Sequence, residues 1–329
     1  MVNLQLKNKL EKTGLAMLLA VMMVLLAACG ASSSNDNQNE AVNNGPATTN
    51  AVNEEKATVY PLTLKDATDT ELVFDTAPTK VVTLVPSETE VMFAIGAGDV
   101  VVAVDENSNY PSEAAALPKI GNMTTNIEAV TALNPDLVVA SSSMNSEAIE
   151  QLRALKIKVY ASEPKTYDAV IAKVETMGQI MDKQGEAAKV AEHMKSVQQQ
   201  VNDAVKDAPK RKVYLEFSPG WTVGSGEFLD ELLTMAGGVN IAGSKPGWFE
   251  VTPEEVIAQN PEVILYPNMK ADPNPIEEGI LSRPGWSVIA AVKNKQMFAL
   301  TEDPLVRVGP RLADGLLEMA KAIHPDYIK

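Results

Sequence analysis

Apolar and polar positions alternate along the chain in a way that predicts short strands separated by helices. Val59–Leu64 and Glu71–Phe74 flank the polar stretch Asp66–Asp69 and predict a hairpin. Lys80–Val85 reads as a buried strand broken by Pro86-Ser87-Glu88, and Thr89–Ile95 has helical spacing up to Gly96. Further strands are predicted at Val100–Val104, Leu137–Ala140 and Lys158–Ala161, with helices at Ile127–Leu133 and Ser146–Leu155. From Tyr167 to Ala208 the pattern is helical, with an interruption near Lys183–Gly185. Ala187, Val190, Ala191, Met194, Val197, Val201, Ala204 and Val205 share one face of its second half. At 1.5 Å per residue, a helix from Gly185 to Ala208 would be ~36 Å long, enough to bridge two lobes. A second series follows, with strands at Val213–Phe217, Val263–Tyr266 and Gln296–Leu300. Its helices are predicted at Phe228–Met235, Pro253–Gln259, Trp286–Ala291 and Pro310–Ile323. Two such series predict an α/β fold of two lobes with mainly parallel sheets, joined by one long helix.

The N-terminal segment is different. Lys7, Lys9 and Lys12 precede an apolar run, Leu15–Leu26, that is too short to span a bilayer comfortably and reads as an export signal. It ends in Leu26-Ala27-Ala28-Cys29-Gly30, which resembles a bacterial lipobox. In that motif the cysteine is lipidated and becomes the mature N-terminus, so Cys29 is the expected anchor. Residues 31–56 are mostly Ser, Asn, Ala, Thr and Glu, too polar to offset ordering by burial, and predict a flexible tether. The expected organisation is a signal peptide over 1–28, lipidated cysteine and tether over 29–56, a first lobe over 57–165, a helical segment over 166–210 and a second lobe over 211–329.

Composition narrows the function. Of 329 residues, 45% are hydrophobic and the formal net charge is −15, which argues against a nucleic-acid partner. Cys29 is the single cysteine, so neither a disulfide framework nor a multi-cysteine zinc site is possible within the chain. The two histidines, His193 and His324, are too few for a His-rich metal site, and His193 lies off the apolar stripe of its helix as a solvated residue. No G-x-S-x-G or H-E-x-x-H motif is present, so an exported hydrolase is a distant alternative, as is an adhesion lipoprotein.

A repeat ties the two series together. Glu128-Ala129-Val130-Thr131-Ala132-Leu133-Asn134-Pro135-Asp136-Leu137-Val138-Val139 resembles the segment 126 positions on, Glu254-Glu255-Val256-Ile257-Ala258-Gln259-Asn260-Pro261-Glu262-Val263-Ile264-Leu265. Each copy predicts a helix, an Asn-Pro turn and a buried strand. Thr125 with Glu128 and Thr252 with Glu255 have capping-box spacing, so helix capping is one reading of these carboxylates. Docking of a partner with twofold symmetry is the other, and it suits Glu254, which the box does not need.

Aromatic residues make up only 5% of the chain, so Trp221, Trp248 and Tyr110, in expected inter-element loops, are candidate ligand surfaces. Trp286 reads as packing. Ser87 and Glu88 follow the first buried strand, where α/β sheets often place ligands, although Glu88 could cap the next helix. Arg307 with Asp303 could form a loop-shaping ion pair or present a fork of donors to a ligand.

Together, the lipobox, the tether, the start Val81-Val82-Thr83-Leu84-Val85-Pro86-Ser87-Glu88-Thr89-Glu90, the Asn-Pro repeats and Gly224-Ser225-Gly226-Glu227-Phe228-Leu229-Asp230-Glu231-Leu232-Leu233 resemble one family. It is that of substrate-binding lipoproteins of bacterial ABC importers for vitamin B12, ferric siderophores or haem, over residues 57–329. The resemblance implies two α/β lobes on a rigid helix, a ligand cleft between them, and one Glu per lobe, Glu128 and Glu254, meeting a permease dimer driven by a cytoplasmic ATPase. It implies a monomer on the extracytoplasmic face of the membrane, no catalysis and no resident cofactor. The ligand would carry its own chelated cobalt or iron. Within the family the match leans to the vitamin B12 binders, which implies ligand contacts from Trp248, Asp303 and Arg307. An aromatic and a second tryptophan of those binders fall at Asn107 and near Met123, and Met123 joins Ser87, Glu88, Tyr110 and Trp221 among the expected contacts. A haem reading would use Tyr110 as the iron ligand.

Overall fold

The computed structural model describes residues 57–122 and 124–328. A hairpin opens it, β1 (Leu62–Lys65) antiparallel to β2 (Glu71–Phe74). Its turn is pinned by Asp66, whose carboxylate receives Thr68 and Thr70 from within the turn, Ala161 N–H at 3.0 Å and the Arg153 guanidinium.

The first lobe is a four-stranded parallel sheet in the order β4-β3-β5-β6, from β3 (Val81–Thr83), β4 (Val101–Val104), β5 (Leu137–Ser141) and β6 (Val159–Ser162). Its helices are α1 (Pro86–Ala94), α2 (Ser112–Ala115), α3 (Ile127–Ala132) and α4 (Ser146–Ala154). The expected start of α1 at Thr89 is corrected: the helix begins at Pro86. Proline lacks the N–H that the first turn leaves unpaired anyway, so here it opens the helix instead of breaking it. Ser87 and Glu88 therefore sit in a helical turn, not a loop.

Two helices follow, α5 (Tyr167–Ile180) and α6 (Gln184–Val205). The break falls at 181–183, slightly earlier than expected, where Asp182 takes a left-handed conformation at φ 54°. Helix α6 spans ~33 Å at 1.5 Å per residue and buries Ala187, Ala191, Met194, Val197, Val201 and Val205.

The second lobe repeats the first. Strands β7 (Arg211–Ser218), β9 (Gly238–Asn240), β11 (Val263–Pro267) and β12 (Met297–Leu300) run parallel in the order β9-β7-β11-β12. This is the order β4-β3-β5-β6 over again. An antiparallel ribbon, β8 (Trp221–Val223) and β10 (Trp248–Glu250), extends from the far end of β7. The helices are α7 (Phe228–Met235), α8 (Pro253–Gln259), α9 (Pro275–Ser282), α10 (Ala290–Lys293), α11 (Glu302–Val306) and α12 (Leu312–Ile323).

Strand alternation divides the core into three parts. Val82, Val138 and Ala140 pack against α3 and α4 on the outer face of the first sheet, and Tyr214, Ile264 and Tyr266 pack with Trp286 and Ile289 outside the second. The inner faces, with Val81, Val139, Val213 and Leu265, share one continuous core with α5, α6, α7 and α12. Helix α6 is thus the spine of a core common to both lobes, bearing on α5, α7, α12 and α1, and not a bare rod between them. Among the described residues no helix is long and apolar enough to cross a membrane.

Candidate functional site

In parallel sheets the strand ends that carry binding loops all point one way. In the first lobe these ends carry Ser87, the segment Asn107–Tyr110, Ser141–Ser143 and Glu163. In the second they carry Trp221 and the segment Asp303–Arg311. The two sets meet. Arg307 Nη1 donates to Glu90 Oε1 of α1 at 3.0 Å and to Asn109 Oδ1 at 2.9 Å. Arg311 places Nε 2.9 Å from Glu90 Oε2 and Nη2 2.6 Å from Oε1, a two-point grip on the same carboxylate. Asp303, one helical turn before Arg307 on α11, completes the cluster at 3.1 Å. Beside it, buried Lys173 of α5 donates to Glu88 Oε1 at 2.9 Å and to the Val308 carbonyl at 2.7 Å.

These contacts revise the expected roles of two residues. Glu88 is only 1% exposed and its Oε1 also receives Ser162 Oγ at 2.6 Å, so its carboxylate is closed off inside the lobe junction. Arg307 is buried and its fork already holds Glu90, Asn109 and Asp303. As placed, Arg307 joins the lobes to each other, Glu88 holds the lysine that reaches Val308, and neither aims at open space. Glu90, Asn109, Arg311 and Lys173 do the same work and were not singled out from the sequence. Ser87 is half-buried at the junction, with Oγ 3.4 Å from Glu88 Oε1.

A second contact joins the start of α5 to the second lobe. Tyr167 N–H donates to Glu231 Oε2 of α7 at 2.8 Å. One turn earlier on that side, Glu227 at the N-cap of α7 accepts from Trp248 Nε1 at 3.2 Å. Trp248 also meets Phe217 edge-on, ring centres 5.3 Å apart. Trp248 pairs with Val223 and Trp221 with Glu250 across the β8/β10 ribbon, so both tryptophans stand on one face of it. Each is 44% exposed, whereas Trp286 is 1% exposed and packed against Tyr214. The loops expected to carry Trp221 and Trp248 are therefore corrected to strands, a stiffer mount for a flat surface.

In the first lobe, Glu163 follows β6, four residues before Tyr167. Its carboxylate accepts from Ser143 N–H at 3.1 Å, from Ser143 Oγ at 2.9 Å, from Ser142 Oγ at 3.1 Å and from Ser141 Oγ at 3.2 Å. Partial burial works to raise its pKa, but the bonds from Ser143, Ser142 and Ser141 outweigh it and hold the group below the usual carboxylate range.

Tyr110 does not join the tryptophans. It is 46% exposed and carries the Arg311 guanidinium 4.0 Å over its ring. With Phe93, Val190, His193 and Pro310 it lines a concavity of about 750 Å³ on the flank between α1, α6 and α12. Trp221, Trp248, Asp303 and Arg307 are not part of that concavity.

Glu128 and Glu254 are both exposed, each as the second residue of its helix, α3 and α8. Thr252 and Glu255 form the capping box as expected. In the first lobe the cap is Asn126, whose side chain accepts from Ala129 N–H at 2.9 Å, and not Thr125, whose hydroxyl is buried without a partner. With Asn126 as cap the two copies align throughout. Asn134 and Asn260 both turn left-handed at φ 48°, and Asp136 and Glu262 both accept from the backbone N–H of a lysine entering the lobe's first strand. Cys29 and Met123 lie outside the described residues. Among the described residues no group of three His, Cys, Asp or Glu side chains is placed to hold a metal ion.

A family model described as periplasmic binding protein matches residues 81–304. The chain belongs to this family. An uncharacterised ABC transporter substrate-binding lipoprotein of Bacillus subtilis, YvrC, is 31% identical over 97% of this chain and 99% of its own. The structure of the vitamin B12 binding protein BtuF of Vibrio cholerae superposes with a TM-score of 0.67 at 29% identity, covering 75% of this chain and 97% of that one. The haem-binding protein RhuT of Roseiflexus sp. superposes with a TM-score of 0.68 at 25% identity, over 75% and 98%. This periplasmic binding protein thus has the two-lobed fold of the vitamin B12, siderophore and haem binders that work with ABC transporters. Its relatives are binding proteins of transporters, not enzymes.

Proposed function

We propose that this protein captures a metal chelate, a corrinoid such as cobalamin in the favoured case, between its lobes and delivers it to an ABC permease. The observation that carries the ligand class is the pair Trp221 and Trp248. Two of the three tryptophans of the chain stand half-exposed on one face of the β8/β10 ribbon, where burying a flat guest would recover the cost of leaving indoles in water. The donor set supports a guest that arrives with its metal already chelated, since the described residues offer no cluster of ligands for a bare ion. Relatives named as vitamin B12-binding support the corrinoid over the alternatives, a ferric siderophore or haem. A haem would use Tyr110, which sits in the flank concavity under Arg311.

Glu128 and Glu254, exposed at matching positions of the two lobes, would meet matching surfaces of a permease dimer. Cys29 would hold the protein by lipid on the extracytoplasmic face. Membrane fractionation of the Cys29→Ser variant tests the anchor: release supports it, and firm retention removes it. The ligand class is tested by intrinsic tryptophan fluorescence during titration with cyanocobalamin, ferric trihydroxamates and haemin. Saturable quenching below roughly 10 µM, near −7 kcal/mol, is expected for cyanocobalamin. Its absence with cyanocobalamin removes the corrinoid, and its absence with all three removes the metal-chelate reading.

A further inference from the structure

All five arginines of the chain are already committed. Arg307 and Arg311 hold Glu90 and Asp303, Arg283 holds buried Glu216, and Arg153 holds Asp66. Arg211 donates to the carbonyls of Ile323 and Glu262 at 2.7 and 3.3 Å. Lys173, the buried lysine of the lobe junction, is engaged by Glu88 and Val308. No guanidinium fork is left to receive a carboxylate in two-point fashion, and recruiting one would strand a buried Glu90 or Glu216.

What the boundary does leave over is acceptors. Glu163 stands at the first lobe's strand ends, held charged by three serines. Glu227 sits under Trp248, and Glu250 pairs with Trp221 across the ribbon. Lys165 and Lys270, on the loops after β6 and β11, are exposed. Solvated point charges of that kind are screened and bind carboxylates weakly.

We infer that the cleft selects chelates whose periphery carries amide or hydroxyl donors or positive charge, and discriminates against chelates whose periphery carries several carboxylates. This rests on the metal-chelate reading above. An amide N–H or an ammonium can be received by Glu227 beside the Trp248 indole or by Glu163 at the strand ends of the first lobe. A carboxylate in the same place meets like charge in a partly desolvated setting, with no fork to neutralise it.

The test uses paired guests that share the chelated metal centre and differ chiefly in peripheral charge. Cobinamide carries amides where cobyrinic acid carries carboxylates on the same corrin and cobalt. Ferrioxamine B ends in an ammonium where its N-succinyl derivative ends in a carboxylate. Titration of the full chain should show the amide or ammonium member of a binding pair at least about tenfold tighter at low salt. The double variant Glu163→Gln, Glu227→Gln, which keeps side-chain size and removes both charges, should narrow that gap several-fold. Equal or tighter binding of the carboxylate members overturns the inference while leaving the metal-chelate reading standing. Unchanged discrimination in the double variant also overturns it. Failure of both pairs to bind at all overturns the inference, and failure of haemin as well removes the metal-chelate reading with it.

Discussion

Glu128 and Glu254 occupy the same position of one motif used twice, each the second residue of a short capped helix and each exposed to solvent. The caps Asn126 and Thr252, the left-handed Asn134 and Asn260, and the strand clamps Asp136 and Glu262 keep the same spacing in both copies. Capping does not require either glutamate, since Asn126 and the Thr252–Glu255 box already satisfy the first turns. The double variant Glu128→Ala, Glu254→Ala is therefore expected to keep its melting temperature and ligand affinity and to lose uptake in a transport assay. Unimpaired transport would remove the docking role.

The three tryptophans should respond in opposite ways to truncation. Trp221→Ala and Trp248→Ala should leave stability nearly unchanged, because both indoles are already half in water, and should weaken ligand binding by about tenfold or more, ~1.4 kcal/mol each. Trp286→Ala should cost about 3–5 kcal/mol of stability, since it empties the space between Tyr214 and Arg283 in the second lobe's outer core. Paired thermal melts and titrations of the three variants check this directly.

Glu90 is the hub of the lobe junction. Glu90→Ala removes the buried carboxylate shared by two largely buried arginines and leaves them only the more exposed Asp303, and breaking a buried pair from one side costs about 3–5 kcal/mol. Loss of the grip should also loosen the segment 303–311. Hydrogen exchange should show that segment exchanging faster in the variant while the amides of β3 and β5 stay protected.

His324 gives an acid-side signature. It is buried, and that burial, with the charges of Arg211 and Lys210 added, outweighs the nearby Gly237 carbonyl and lowers its pKa below the usual 6.5. The unfolded chain takes up this proton near its ordinary pKa while the folded chain resists it. The stability His324 contributes is thus full above about pH 6.5 and is lost as pH falls toward the folded value. The melting temperature should drop on going from about pH 7.5 to about pH 5.5, and His324→Gln should flatten that slope. An identical slope in the variant would assign the acid sensitivity elsewhere.

Much of the fold was legible because local signals carried it. Buried parallel strands such as Val81–Thr83 and Leu137–Ser141 are apolar runs, and the stripe on α6 fixes its buried face. The Asn-Pro repeat marked both lobes. What the sequence did not show depends on distant partners. The three-residue strands β8, β9 and β10 exist only through pairing, so their own composition is too short to declare them. Glu90 looked like one carboxylate of a Ser-Glu-Thr-Glu run, and its partners Arg307 and Arg311 lie 217 and 221 positions away. The same distance hid the fate of Arg307: Asp303 beside it was visible, but the first-lobe acceptors that engage it were not. The cap at Asn126 was missed by one residue, because Thr125 is an equally plausible capping side chain and only the folded backbone decides between them.

The most direct test of the account is a crystal structure of this protein grown with cyanocobalamin. The account places the corrin between the lobes, in van der Waals contact with Trp221 and Trp248, with its amide side chains reaching Glu163 or Glu227. A corrin seated instead in the flank concavity beside Tyr110 and Phe93, or touching one lobe only, would contradict it.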